Sequence, residues 1–89
     1  MFKKLILRHN IKILRSYIDQ MYEGENLCKS CLYEIEHEKL EDFHIDSILK
    51  TYGSIENYKK DMEEKLDKFK STRKELIERV TKMEMGEAV

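Results

Sequence analysis

Proline is absent from the chain, and glycine occurs three times, at Gly24, Gly53 and Gly86. Helix breakers are therefore scarce, and long helices meet few interruptions. Only two valines, Val80 and Val89, are present to favour strands, and no stretch alternates apolar and polar residues with period two, so a sheet is not expected. No apolar run approaches the roughly twenty residues needed to span a bilayer. The first residues also lack the uninterrupted apolar stretch and small-residue cleavage site of a secretory signal. These absences predict a cytoplasmic protein, in which Cys28 and Cys31 read as reduced thiols. At 89 residues the chain is one domain with a small core, which a partner or a second copy would help to stabilise.

Charged residues make up 39% of the chain, and their signs are segregated. Residues 1–18 carry five bases (Lys3, Lys4, Arg8, Lys12, Arg15) and no acid, a net +5. Residues 19–57 hold ten acids against three bases, a net −7, and the remainder nine bases against eight acids. The first helix and the middle of the chain are expected to attract one another.

Leu7, Ile11, Leu14, Ile18 and Met21 recur at gaps of four and three, with Ile6, Ile13 and Tyr17 beside them, which predicts a first helix over about residues 2–22 that buries more than one flank. Gly24 suits a left-handed C-cap and Asn26 an N-cap, so a tight reversal is expected there, followed by a second, acidic helix over 27–41 with Cys28, Cys31, Leu32 and Ile35 on one face. A short helix over 45–52 is closed by Gly53, and Ser54 caps a last helix over 54–84, beyond which the residues should fray. In that helix Ile55, Met62, Phe69, Leu76 and Met83 fall seven apart, with Leu66 and Val80 at alternate seam positions and Lys59 and Arg73 interrupting them.

Cys28-Lys-Ser-Cys31 with His37 and His44 downstream raises a zinc site. On a helix, though, His37 lies about 240° around from Cys31, so two buried thiols are the simpler reading. Glu34, Glu36, Glu38, Glu41 and Asp42 have no nucleophile or glycine-rich loop beside them and read as a solvated face. The basic first helix could hold phosphates or a membrane surface, but its apolar face reads better as core.

Residues 45–62 resemble the pattern of short helix, glycine, then helix found in helical signalling domains attached to bacterial transmembrane proteins. The likeness covers about a fifth of the chain, implies a helical hairpin, and carries no site residue over.

The expected fold is all-α: a small dimeric bundle of three to four helices with a long, heptad-patterned C-terminal helix, whose Met62, Leu66, Phe69, Arg73, Leu76, Val80 and Met83 form the interface to a second copy or to a partner's helix. The expected function is that of a regulatory or adaptor protein that binds a protein partner by helix–helix association, with no catalysis and no cofactor. The alternatives are a nucleic-acid-binding regulator using the five bases of the first helix, and a minor zinc protein using Cys28 and Cys31.

Overall fold

The computed structural model describes residues 2–88, and these form three helices and no strand. Helix α1 spans Phe2–Glu36, α2 Asp42–Tyr52 and α3 Ile55–Ala88. The all-α bundle expected from composition is thus present, in the form of a long antiparallel hairpin of α1 and α3 with α2 packed near its closed end. The molecule measures 58 × 19 × 17 Å, with a radius of gyration of 18.5 Å. A compact chain of this length would have a radius near 12 Å. Two helices of about 35 residues, each rising 1.5 Å per residue, account for the rod.

The largest departure from expectation is at Gly24. Instead of reversing, the chain continues as one helix from Phe2 to Glu36, and the two helices expected over 2–22 and 27–41 are a single element. Gly24 keeps a helical, negative φ. A Cβ at this position would lie 2.7 Å from two carbons of the Phe69 ring, so the glycine serves close approach between helices rather than a turn. A glycine inside a helix costs about 1 kcal/mol relative to alanine, too little to break an element held by packing along its length. The inward stripe runs through without a phase change: Leu7, Ile11, Leu14, Ile18, Met21, Glu25, Cys28, Leu32 and Ile35.

Where α1 does end, five residues earlier than expected, the amide of Lys39 donates to the carbonyl of Glu34 and that of Glu38 to Ile35. This double bond pattern needs a left-handed residue just past the helix, and Glu38 supplies it with φ 53°. Helix α2 begins at Asp42, three residues earlier than expected, and closes as expected at Gly53, whose φ of 82° lets its amide donate to the Leu49 carbonyl. Ser54 caps α3 as expected: its Oγ accepts from the Asn57 amide at 3.1 Å, while Asn57 Nδ2 returns a bond to the Tyr52 carbonyl. The helix then runs through Gly86 to Ala88, past the fraying expected after Glu84. Val89 lies outside the described residues.

The core sits at the closed end. Cys28, Ile48, Tyr58 and Met62 are buried together, with Leu32, Ile35, Leu66 and Phe69 packed around them. Toward the open end the inward stripe thins to isolated buried residues, Ile11 and Val80. No described helix is long and apolar enough to cross a membrane.

Candidate helix-binding groove

The seam of α3 is turned toward α1. Met62 and Val80 are buried, and Leu66, Phe69, Arg73, Leu76 and Met83 are half-buried. Lys59, the other seam interruption, is exposed. The residue that sequence reasoning missed is Glu25, only 3% exposed. Its carboxylate accepts from Arg73 Nε at 2.7 Å and from Nη2 at 3.2 Å, a two-point ion pair inside the seam. Arg73 also donates to the Tyr22 hydroxyl at 3.3 Å and lies 4.6 Å from the Tyr22 ring centre. The signal was present: Glu25 continues the four-three stripe of α1 as its one charge, and Arg73 is, with Lys59, one of two charges of the opposite sign in the seam of α3.

A second polar contact anchors α2. The Tyr52 hydroxyl donates to Asp61 Oδ2 at 3.0 Å, and Lys65 Nζ lies 3.0 Å from the same oxygen. Lys65 first, and Tyr52 second, hold the Asp61 carboxyl below its ordinary value, while the bond to Asp61 pushes the Tyr52 hydroxyl up. Burial, followed by the neighbouring Cys31 thiol, raises Tyr58 strongly.

The candidate ligands do not converge. Cys28 is buried and Cys31 half-buried as free thiols, while His37 packs on the Tyr33 ring and His44 on Phe43. Among the described residues no three His, Cys, Asp or Glu side chains gather as metal ligands. Glu36, Glu38, Glu41 and Asp42 are exposed and Glu34 half-buried around the closed end. The expected attraction between the basic first helix and this acidic middle takes another form: the two lie at opposite ends of the rod, and Arg15 pairs instead with Glu84 of α3.

The two flanks of the hairpin differ at its open end. One holds the Arg15–Glu84 pair, beside Arg8, Ile11 and Lys12. The other is an open apolar recess between Ile13 and Leu14 of α1 and Met83 of α3, edged by Asn10, Arg79 and Lys82. It is continued by a recess between Met21 and Phe69, bordered by Lys65, Lys68 and Thr72. On α3 the positions Tyr58, Lys65, Phe69, Thr72, Leu76 and Met83 form one stripe at helical spacing. Helix α2 covers only its first turns, through Ile48 and Tyr52. With eleven residues α2 reaches about 16 Å, so most of the rod beyond it has a groove with two walls and no third helix. The chain matches no family model, no curated protein and no solved structure.

Proposed function

We propose that the protein is a non-catalytic adaptor or regulator, acting in the cytoplasm, whose open-end groove receives a helix of a protein partner. The observation that carries this reading is the uncovered stretch beyond α2, where Ile13 is 39% exposed and Leu14, Met21, Phe69, Leu76 and Met83 are only half-buried. Two packed helices leave each with an apolar flank, and a third or fourth helix laid along the groove closes it by the knobs-into-holes packing of bundles. Lys65, Lys68, Arg79 and Lys82 outnumber Glu75 along its border and favour an occupant with acidic flanks. In the self-associated form, two open halves pack antiparallel as a homodimer. The seam residues then contribute through their half-exposed edges rather than as a free interface.

The test is solution mass by light scattering over a dilution series, with capture of binding proteins in parallel. Ile13→Glu places a charge in the groove, and Leu27→Glu places one at an exposed site elsewhere on α1, where the leucine is 69% exposed. Self-association or capture that is lost with Ile13→Glu and kept with Leu27→Glu supports the reading. A wild-type monomer whose captured proteins are indifferent to Ile13→Glu refutes it.

A further inference from the structure

The first two turns of α1 carry a second apolar surface, separate from the groove. Phe2 is 81% exposed, Leu5 63% and Ile6 53%. At 100° per residue these three side chains fall within an arc of about 100°, on the side of α1 facing away from α3. The residues that face α3, among them Leu7, Ile11 and Ile18, occupy the opposite side. The sequence suggested that this wide apolar face is consumed by the core, and in the structure the outer part of it is not.

The charges around this arc have one sign. Arg8 and Lys12 border it on one side and Lys3 on the other, and residues 1–18 contain no acid. Farther along the same outer face of α1, beyond Tyr17, polar and acidic residues dominate, with Gln20, Glu23 and Glu34, and the exposed Leu27 stands singly among them. The apolar surface is thus short and confined to the tip. Under two turns is too little for a coiled-coil seam, which needs several heptads. It suits shallow insertion among lipid headgroups, where apolar side chains enter the acyl boundary and flanking lysines remain at the phosphates. Duplex nucleic acid would use the bases but leave Phe2, Leu5 and Ile6 without a role.

We propose that the tip of α1 is a peripheral binding site for anionic membrane surfaces, with Phe2, Leu5 and Ile6 inserted and Lys3, Arg8 and Lys12 at the lipid phosphates. The protein lies on the bilayer and does not cross it, and the helix-binding groove is a separate feature of the same rod.

The experiment is sedimentation of the full chain with vesicles of phosphatidylcholine alone, or with about one-third phosphatidylserine, at low and high salt. The expected result is about tenfold stronger partitioning onto the anionic vesicles, weakened by salt. Lys3→Glu/Lys12→Glu and Phe2→Ser/Leu5→Ser each lower it about tenfold or more, while circular dichroism shows the helices intact. The single Phe2→Ser variant, at the most exposed position, serves if the double one unfolds. Because the chain has no tryptophan, Phe2→Trp gives an independent readout, a blue shift on anionic vesicles. Equal partitioning onto both vesicle types overturns the proposal, as does anionic binding that Phe2→Ser/Leu5→Ser leaves unchanged. Tight binding of a duplex DNA fragment, abolished by Lys3→Glu/Lys12→Glu but indifferent to Phe2→Ser/Leu5→Ser, would make the tip a phosphate-backbone site instead.

Discussion

Glu25 and Arg73 meet across the α1–α3 seam as a two-point ion pair, with the carboxylate almost wholly buried and the guanidinium half-buried against the Tyr22 ring. Glu25 is the one charge in the stripe of α1, and Arg73 is the half-buried one of the two bases, with exposed Lys59, in the seam of α3. The pair is satisfied only when α1 and α3 are aligned in one register, since a slip of one turn buries both charges without partners. Such pairs contribute less to stability than their attraction suggests, because both ions have left water. Their consequence here is alignment of a hairpin whose thin apolar seam would otherwise tolerate sliding.

Removing one partner should therefore be costly and removing both should not. Arg73→Met leaves Glu25 buried without its counter-charge and is expected to destabilise by about 3 kcal/mol, read from urea denaturation. Glu25→Leu combined with Arg73→Leu should recover most of that loss, with mixed oligomers in light scattering as the cost in specificity. A double variant as unstable as the single one would show that the pair stabilises the fold outright.

Gly24 and Phe69 should be coupled. Gly24→Ala places a methyl group where the ring lies, and is expected to lower stability by about 1 kcal/mol despite the better helix propensity of alanine. In a Phe69→Leu background the same change should raise stability by about 1 kcal/mol. If Gly24→Ala behaves identically in both backgrounds, the close approach is idle.

The two left-handed residues make opposite predictions. Glu38 is an exposed side chain at φ 53°, a position glycine fills without strain, so Glu38→Gly should stabilise by about 1 kcal/mol. Gly53 has open space around it but φ 82°, so Gly53→Ala should destabilise by about 1 kcal/mol through the backbone alone. In a chain of this size either change moves the melting temperature by roughly 4–8 °C.

Stability should be insensitive to these groups from about pH 4 to 9 and fall on either side. The Asp61 carboxyl sits below its ordinary 3.8, held by Lys65 and Tyr52, so its contribution is present above that pH and fades on further acidification. Burial raises the Cys28 thiol above 9.0, the bond to Asp61 raises Tyr52 above 10.0, and burial raises Tyr58 further. Their neutral forms favour the folded state, so stability is full below those ordinary values and declines as pH climbs past them. Melting curves across pH check both edges, and Asp61→Asn should flatten the acid one.

Thiol chemistry should follow the same burial. Cys28 is expected to react with a disulfide reagent only as fast as the hairpin opens, and half-buried Cys31 sooner. Equal, rapid labelling of both at neutral pH would show that the closed-end core is not formed.

The helical class, the seam of α3, the Gly53 stop and the Ser54 cap follow from local chemistry: propensity, period and the shape of one turn act within a few residues and can be read from them. The inward stripe of α1 was equally legible, since Leu7 through Ile35 never leave phase. What local chemistry could not decide is whether Gly24 ends a helix or admits a neighbour, because a glycine permits both and the choice depends on a ring forty-five residues away. The burial of Glu25 depends in the same way on Arg73, and the exposure of Phe2, Leu5 and Ile6 on how little of α1 its partner helix can cover. Two packed helices cover one side of each other, so the sequence set how wide the apolar face of α1 is and the tertiary structure decided how much of it stays bare.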